Sequence, residues 1–547
     1  MKRVFYIVLA VAFAATSLSA QKSDHSLTRN AEILINVMRE LDQNYVDQVD
    51  PDEMMEHISE SLTKWLDPYT QYMDEEEARQ FEVMTTGEYG GIGSVIRKTD
   101  DGVVIAQPYK GSPADMAGFK IGDLIYSVNN IEVGDQSTEW VSTRLKGVPN
   151  TDVYVTIKST LDGSLKEHVI KRKRISIPAI PYYGFVGDEA DSVGYIRHDD
   201  FTSGSAKELR AAAKELIEKG AKSLILDYRA NGGGVMQEAV DIVSIFAPRS
   251  TEVVTTKSRR DSVVYRTSQR PLSLDIPLAV LISQGSASAA EIVAGAIQDL
   301  DRGVLLGERS FGKGLVQMPR PVGYNSYLKL TTSKYFIPSG RCIQAIDYSD
   351  HSTSSQSKER LADSLKRRFT TVGGREVFDG GGVTPDIEVK SDETSGFVMA
   401  LLYTDAVSDY ADDYFRRNYA EGLDLDNFRL SDEEFSLFKS SLEGRDVPYS
   451  SATRAALKKL KSAAQKDNFD NLTPLIESLE EQVKDDVESN VEYNRDRLTE
   501  VIESEIVLRF AYNDGVIRHS IKSDEQVLRA IELLTSDGEY SKILGVK

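Results

Sequence analysis

The stretch that decides the fold runs from Ile276 to Leu300 and reads IPLAVLISQGSASAAEIVAGAIQDL. Its apolar start, Ile276 to Ile282, predicts a strand, and the pattern from Ala289 to Leu300 predicts a helix after a turn of small residues. Ser288 then lies at the helix N-terminus, where backbone N–H groups favour a developing negative charge. The stretch therefore predicts a nucleophile between a strand and a helix.

A candidate base follows 25 positions after Ser288, in the segment GERSFGKGLVQ. A serine is a weak nucleophile without a base, and a lysine can serve as one only if burial lowers its pKa by several units from roughly 10.4. Lys313 has apolar neighbours such as Phe311 and Leu315, and its two flanking glycines let the backbone approach closely. Gln317 is placed to orient the amine by hydrogen bonding.

Other interpretations of these residues remain open. Ser286 competes as the nucleophile because it differs from Ser288 by two positions. None of the six histidines lies in a segment that looks like a partner for Ser288, although a Ser-His-Asp triad could assemble from distant positions. Taken singly, both serines could be ordinary N-cap residues and Lys313 a solvated loop lysine.

Taken together, these segments resemble the carboxy-terminal processing peptidases, the tail-specific, S41-type serine proteases with a Ser-Lys dyad. The family pattern reads roughly G-S-A-S-A-S-E-I and, further along the chain, F-G-K-G-x-x-Q. Here Ala290 replaces the usual last serine. The resemblance implies that Ser288 is the nucleophile, Lys313 the general base and Gln317 the residue that orients the lysine.

A glycine-rich turn, DYRANGGG at 227–234, follows an apolar run that predicts a buried strand. Taken alone, it could be only a tight strand-to-helix connection, and it lacks the lysine and spacing of a P-loop. In the resembling family, this segment gives one oxyanion-hole N–H and the residue after the nucleophile gives the other. The resemblance implies Gly233 and Ala289, with the donor glycine open by one position among the three.

The segment from about residue 86 to 174 resembles a PDZ domain. GEYGGIG at 87–93 resembles a carboxylate-binding loop, and GSPADMAGFKIGDLI at 111–125 resembles the short helix and the strand after it. The resemblance implies that Gly91, Ile92 and Gly93 receive the terminal carboxylate of a peptide, which adds a strand to the sheet edge. A β-rich domain without this role is the alternative.

The N-terminus has the features of an exported protein. Met1-Lys2-Arg3 precedes a short apolar run, and small residues end at Ala20, which predicts a secretory signal peptide. We expect the periplasm of a Gram-negative bacterium, with membrane association if the segment is retained as an anchor. No cysteine directly follows the run, which disfavours lipoprotein attachment.

Composition limits the cofactors and partners of this 547-residue chain. Its one cysteine, Cys342, excludes an intrachain disulfide, and scattered histidines without a cysteine pair disfavour a metal cluster. A net charge of −21 disfavours nucleic acid as a partner. We predict no cofactor and no metal, and the resemblance implies protein or peptide substrates with free C-termini.

Helical spacing marks the residues between the signal and the PDZ-like segment. We expect core-facing helices there, because apolar residues recur every three or four positions. The turn from Leu66 to Thr70 that follows resembles the L-D-P-H-S turn of the same family, with Tyr69 and Thr70 as departures. The apolar residues are Ile33, Leu34, Val37, Met38, Leu41, Met54, Met55, Ile58, Leu62 and Trp65.

We predict a multidomain α/β fold whose peptidase core is, by resemblance, of the crotonase and Clp-protease type. A polar insertion at about 347–376 could be a lid or a surface decoration. We expect a structural role for the C-terminal helices, with docking of another copy or of an adaptor as the alternative. The predicted segments are a signal peptide (1–20), an N-terminal helical region (21–85), a PDZ domain (86–174), the core (175–393) and an all-α C-terminal domain (394–547).

The resemblance implies an exported serine endopeptidase that cleaves proteins near their C-termini, with the PDZ domain recognising the substrate C-terminus. A catalytically inactive, PDZ-based peptide-binding scaffold in the same compartment is the alternative, and a crotonase-like acyl-CoA enzyme is the third. The joint presence of Ser288, Lys313 and Gln317 disfavours the scaffold. Export and the PDZ-like segment disfavour the acyl-CoA enzyme.

Overall fold

A computed structural model describes residues 25–188, 191–348, 360–391, 394–483, 486–536 and 538–545. The predicted signal peptide and residues 349–359 of the polar insertion lie outside the described residues. The chain divides into two compact units. Among the described residues, the first unit comprises 25–78, 316–333 and 347–348, and the second comprises 79–188, 191–315, 334–346, 360–391, 394–483, 486–536 and 538–545.

The described part of the N-terminal region is mainly helical. Asp50 caps its second helix by accepting a hydrogen bond from the N–H of Asp52, and Pro51 takes the first helical position, so local sequence fixes this start. The elements are α1 (residues 25–44), α2 (Pro51–Lys64), β1 (Gln71–Met73) and α3 (Glu75–Thr86).

The apolar side chains of α1 and α2 do not face a core, which corrects our expectation. Only Met54 of the predicted set is buried, and Met38 and Ile58 are half-buried. Helical spacing shows which side chains share one face, but it does not supply an element that covers that face. The exposed residues are Ile33, Leu34, Val37, Leu41, Met55, Leu62 and Trp65.

The PDZ-like segment forms a sheet in the strand order β3-β4-β5-β7-β8, with β6 beside β5 and a separate pair of β2 and β9. Val153, Val155 and Ile157 alternate inward along one strand and pack on Ile105 and Phe119. The elements are β2 (Glu88–Gly91), β3 (Ser94–Thr99), β4 (Gly102–Pro108), α4 (Pro113–Met116), β5 (Leu124–Val128), β6 (Ile131–Glu132), α5 (Thr138–Leu145), β7 (Asp152–Lys158), β8 (Leu165–Lys171) and β9 (Lys173–Ser176).

The core is built on a sheet in the order β10-β11-β12-β15-β16-β21, in which β10 is antiparallel and the others are parallel. Strands β12, β15 and β16 are buried along their whole length, as a parallel sheet covered on both faces requires. The elements are β10 (Tyr182–Val186), β11 (Val193–Arg197), α6 (Ser205–Glu218), β12 (Ser223–Asp227), α7 (Met236–Phe246), β13 (Glu252–Lys257), β14 (Ser262–Arg266), β15 (Leu278–Ile282), α8 (Ala289–Asp299), β16 (Val304–Gly307), β17 (Leu315–Gly323), β18 (Ser326–Phe336), β19 (Arg368–Thr370), β20 (Glu376–Phe378) and β21 (Ile387–Glu388).

The long strand β18 contributes to both units. In the first unit it pairs with β17, and Lys329 lies opposite Gln71 of β1. In the second unit Phe336 lies opposite Thr255 of β13, which also pairs with β14. Within the predicted insertion, β19 and β20 pair with each other.

The C-terminal region is helical throughout its described part. Helices α9, α10, α11, α14 and α15 share one core that includes Phe397, Tyr410, Phe438 and Ile502, whereas α16 and α17 pack on the core sheet. The elements are α9 (Gly396–Leu402), α10 (Ala406–Asn418), α11 (Asp432–Ser441), α12 (Ala452–Lys466), α13 (Thr473–Gln482), α14 (Val487–Tyr493), α15 (Arg495–Ser520), α16 (Glu525–Thr535) and α17 (Glu539–Leu544).

These elements confirm the predicted multidomain α/β fold class, while the residue boundaries of the predicted segments stay a prediction. Among the described residues, no helix combines the length and the apolar character that crossing a membrane requires.

Candidate active site

The predicted nucleophile lies in a tight turn between β15 and α8. Ser288 has φ 54° and ψ −114°, a conformation that non-glycine residues rarely adopt and that persists only where its surroundings hold it. Ser288 is half-buried, whereas Ser286 is fully buried. The Ser286 hydroxyl accepts from the Ser283 N–H (2.8 Å) and donates to the Tyr228 carbonyl (2.8 Å). The Ser286 hydroxyl therefore stabilises the turn through two hydrogen bonds. Ser288 is the more accessible of the two serines.

The side chain of Glu291 ties the nucleophile turn to the loop that carries Lys313. One carboxylate oxygen accepts from the N–H groups of Ser288 and Lys313, both at 2.9 Å. The other accepts from the Gly312 N–H (2.7 Å) and the Ser310 hydroxyl (2.5 Å). Burial raises the pKa of Glu291 to about 7, although these four hydrogen bonds oppose the rise.

Tyr335 of β18 forms a second link between the same two residues. Its hydroxyl donates to the Lys313 carbonyl at 2.6 Å and lies 3.2 Å from the Ser288 carbonyl. The flanking glycines also fit closely: a Cβ on Gly312 would lie 2.5 Å from the Ala345 Cβ, and one on Gly314 would lie 2.8 Å from the Gln344 nitrogen. The structure thus brings the backbones of Ser288 and Lys313 together.

Gln317 lies in the first unit, where it joins a network built on the turn after α2. Its side-chain nitrogen donates to the Thr331 hydroxyl (3.2 Å), which donates to the Asp67 carboxylate (3.1 Å). That carboxylate also accepts from the N–H groups of Tyr69 and Thr70, both at 2.9 Å. The turn that resembles the family's L-D-P-H-S segment therefore fixes the amide of Gln317.

The two predicted oxyanion-hole N–H groups differ in their present partners. Gly233 has φ 97°, and a Cβ there would lie 2.7 Å from the Ser288 Cβ and 2.8 Å from the Ala289 nitrogen, so only glycine fits. Its N–H donates to the side-chain oxygen of Asn231 at 2.8 Å. The Ala289 N–H has no hydrogen-bond acceptor in the described part of the chain. Ala289 is thus ready to donate, and Gly233 is engaged.

A buried ionic cluster lies under the glycine-rich turn. Asp227 ends β12 and accepts hydrogen bonds from Tyr195, Arg197 and Arg229. Burial raises the pKa of this carboxyl, but the guanidinium groups of Arg229 and Arg197 outweigh it and lower the pKa to about 2. Asp227 is therefore ionised and can hold Arg229 in place at the start of the turn.

The predicted carboxylate-binding loop follows β2 in the PDZ-like segment. The Gly93 carbonyl accepts from the Tyr109 N–H (2.9 Å) and the Ser112 hydroxyl (2.8 Å), so the loop is held from one side. The N–H groups of Ile92 and Gly93 have no acceptor among the described residues. A small cavity of about 30 Å³ adjoins them, lined by Tyr89, Ile92, Gly93, Ser94, Ile96, Ser142, Leu145 and Lys146.

Sequence reasoning missed three residues that hold the site. Glu291 stands three positions after Ser288, and the S-x-x-E spacing of a capping box could have identified it. Asn231 lies in the glycine-rich turn at 227–234, but the sequence pattern assigns no role to its side chain. Tyr335 lies 47 positions from Ser288, and no local pattern marks it.

The chain matches the profiles of three known families. "Peptidase family S41" matches residues 192–351, "PDZ domain" matches 104–159, and "Probable PDZ-protease, C-terminal helical domain" matches 397–534. Together they cover the core, the PDZ-like segment and the C-terminal helices, in the predicted order.

Individual relatives agree with these matches. The chain is 32% identical over 350 residues to the carboxy-terminal-processing protease of Bartonella bacilliformis. This match covers 62% of this chain and 77% of that protein. It is 31% identical over 341 residues to a probable CtpA-like serine protease of Staphylococcus aureus strain COL, which covers 61% of this chain. The chain spans 66% of the length of that staphylococcal relative.

A solved structure is also similar, that of the photosystem II D1 C-terminal processing protease. The TM-score is 0.35 at 24% identity, and the match covers 64% of this chain and 85% of that one. The matched sequence profiles and the Bartonella relative confirm the predicted family: this chain belongs to the carboxy-terminal-processing proteases of peptidase family S41, with a PDZ domain and a C-terminal helical domain.

Proposed function

We propose that the chain is an exported serine endopeptidase that cleaves protein substrates near their C-termini with a Ser288–Lys313 dyad. One observation carries the proposal: the Glu291 carboxylate accepts from the N–H groups of both dyad residues at 2.9 Å. One buried side chain therefore holds the backbones of nucleophile and base next to each other, which supports general-base catalysis between their side chains. A scaffold that only binds peptides has no need of that link.

The reaction is acyl transfer to water. Ser288 attacks the peptide carbonyl while the neutral amine of Lys313 accepts the hydroxyl proton, and the lysine then gives that proton to the leaving amine. Water attacks the acyl-enzyme in the second half, with Lys313 again as the base. The carboxyl product and free Ser288 complete the cycle.

The oxyanion is held by the N–H groups of Ala289 and Gly233. The Ala289 N–H is available in the described structure, and the Gly233 N–H becomes available when it exchanges the Asn231 oxygen for the oxyanion. Donors fixed by a tight backbone are effective because they need little reorganisation during the reaction.

In this proposal Gln317 keeps the role of orienting a lysine amine that the family resemblance implies. Its nitrogen is held by Thr331, and Thr331 is held by Asp67. A fixed amide nitrogen also fixes the direction of the amide oxygen, which is the group that a lysine amine can donate to.

The PDZ domain receives the free C-terminus of the substrate. The N–H groups of Ile92 and Gly93 bind the carboxylate, and the peptide adds a strand beside β3, which stands at the edge of its sheet. An apolar terminal side chain enters the cavity beside Ile96 and Leu145. Docking of a second copy or an adaptor on the C-terminal helices stays a prediction.

The decisive experiment compares purified residues 21–547 with the variants Ser288→Ala, Lys313→Ala and Ser286→Ala. An unfolded protein with an apolar C-terminus is the substrate, and mass spectrometry identifies the fragments. We expect cleavage by the parent and by Ser286→Ala, provided that the latter folds, and none by the other two. Peptide binding without cleavage in every protein would support the scaffold, and cleavage by Ser288→Ala would contradict the assigned nucleophile.

Export rests on the N-terminal sequence alone and has its own test. After expression in a Gram-negative host, we expect the chain in the periplasmic fraction with Gln21 as its first residue. A chain that retains Met1 in the membrane fraction would instead support the anchor.

A further inference from the structure

The guanidinium of Arg229 joins the catalytic core to the C-terminal helices. Its Nε and Nη2 donate to Asp227, at 3.0 and 2.6 Å. Its Nη1 donates to both carboxylate oxygens of Asp524, at 2.9 and 2.7 Å, and to the Gln526 side-chain oxygen at 3.1 Å. One half-buried arginine is therefore held from two sides, by the end of β12 and by a residue 295 positions away.

Asp524 is itself a fixed anchor. It is the N-cap of α16, and its carboxylate accepts from the N–H groups of Gln526 and Val527, both at 3.0 Å. The helix packs on the core sheet through Val527 and Leu533, and the Gln526 side chain donates to the Val389 carbonyl at 2.7 Å. The position of the carboxylate is thus set by the packing of the helix rather than by the arginine.

On its other side, Arg229 leads directly into the oxyanion turn. The next residue, Ala230, has φ 58°, and its N–H donates to the Ser283 hydroxyl at 3.0 Å. The Asn231 carbonyl accepts from the Ala287 N–H at 2.9 Å. A shift of Arg229 would therefore displace Gly233, because only a short turn separates them and this turn is hydrogen-bonded to the turn that carries Ser288.

We propose that Asp524 is a positioning residue for the reaction: through Arg229 it holds the turn at 229–234 against Ser288. The expected effect of Asp524 on the reaction rate rests on the proposed peptidase function. Its expected effect on the position of the turn does not. The C-terminal helical region then completes the oxyanion site instead of merely flanking the core. A neutral residue at position 524 leaves Arg229 with Asp227 as its one charged partner among the described residues and with the weaker acceptor of Gln526 at 3.1 Å, so the turn gains freedom.

The Asp524→Asn variant separates positioning from helix stability, because Asn caps helices about as well as Asp does. Asp486→Asn is the matched control, since Asp486 caps α14 by accepting from the Ser489 N–H at 2.8 Å. We expect Asp524→Asn to lower kcat by about tenfold with little change in KM, because small misplacements of catalytic groups are costly. Asp524→Glu, which restores the charge, should recover part of the loss.

Hydrogen–deuterium exchange over residues 228–236 gives a readout that does not need activity. We expect faster exchange there in Asp524→Asn and parent-like exchange in Asp486→Asn. Parent-like exchange in Asp524→Asn, or equal losses of rate and melting temperature in both variants, would overturn the proposal. If the parent does not cleave at all but exchange rises as expected, the positioning role stands and the proposed function fails.

Discussion

The proposed oxyanion turn and the proposed carboxylate-binding loop of the PDZ domain both carry backbone N–H groups without an acceptor among the described residues, yet the two are held in different ways. Ala289 directly follows Ser288, whose N–H is held by a buried carboxylate with four donors, and the glycine-rich turn begins at an arginine held from two sides. The N–H groups of Ile92 and Gly93 lie in a loop that neutral hydrogen bonds from the Tyr109 N–H and the Ser112 hydroxyl to the Gly93 carbonyl support. Stabilising a charge that develops during a reaction requires hydrogen-bond donors that are already fixed in place. Binding varied peptide C-termini tolerates a loop with fewer charged contacts.

The largest expected effect comes from removing the charge that clamps the dyad. Glu291→Gln places an amide nitrogen against two of the four donors and so displaces Ser288 and Lys313. We expect kcat to fall by about 100-fold, because small misplacements of reacting groups are costly. Each donor left without an acceptor should also cost about 1–3 kcal/mol of unfolding free energy.

Steady-state kinetics and urea unfolding measure both effects. Binding of a fluorescent C-terminal peptide to the same variant is the control, and it should match the parent because the PDZ loop does not contact Glu291. Parent-like turnover in Glu291→Gln would remove the distinction between the two regions.

The second effect tests the bridging tyrosine. In Tyr335→Phe the carbonyl groups of Ser288 and Lys313 lose one donor, so we expect a fall in kcat of about tenfold and a loss of about 1 kcal/mol in stability. Tyr410→Phe is the control, because Tyr410 of the C-terminal region is also buried and its hydroxyl lies 2.5 Å from the Glu434 carboxylate and 2.7 Å from the Glu434 carbonyl as possible acceptors. It should lose similar stability and keep its rate; equal rate losses in both would contradict a local role for Tyr335.

The third effect should fall on the PDZ loop alone. A Cβ on Gly93 would lie 2.4 Å from the Ser112 Cβ at φ 79°, whereas Gly111 has φ 74° and open space around it. We expect Gly93→Ala to weaken peptide binding by about tenfold, on the scale of about 1.4 kcal/mol, while Gly111→Ala reports backbone strain without the clash. The kcat for a short ester substrate should stay unchanged, and a matching fall in kcat would mean that the loops are not independent.

The last effect is the pH dependence of stability, which develops gradually with pH. The pKa of Glu291 is raised from 4.5 to about 7, so the folded state holds this proton more tightly than the unfolded state. Its contribution to the unfolding free energy therefore decreases as pH rises from 4.5 to about 7, by at most about 1.4 kcal/mol per pH unit. As pH rises across this window, the unfolding free energy of the parent should fall relative to that of Glu291→Gln. Parallel curves of unfolding free energy against pH would contradict the raised pKa.

Local sequence was sufficient for the features that local chemistry determines. The strand, small-residue turn and helix around Ser288 appear where the apolar run and its break predict them, and the glycines at 233 and 312 lie where a Cβ would clash. Strand β7 of the PDZ-like segment likewise follows its alternating pattern.

Contacts between distant positions could not be predicted in the same way. Arg229 and Asp524 are 295 positions apart, and nothing in either segment identifies the other. The exposed side chains of α1 and α2 show the opposite error, because a helical period predicts an apolar face but not its partner. Glu291 was within reach, since its spacing from Ser288 is a known cap signal.

The central claim is that Ser288 forms the acyl-enzyme with the help of Lys313, and intact-protein mass spectrometry tests it most directly. Mixing the mature chain with a slowly deacylating ester and quenching within the first turnover should show one added acyl group, located on Ser288 by peptide mapping. The adduct should be absent from Ser288→Ala and strongly reduced in Lys313→Ala. An adduct on Ser286, or equal acylation of the parent and Lys313→Ala, would contradict the account.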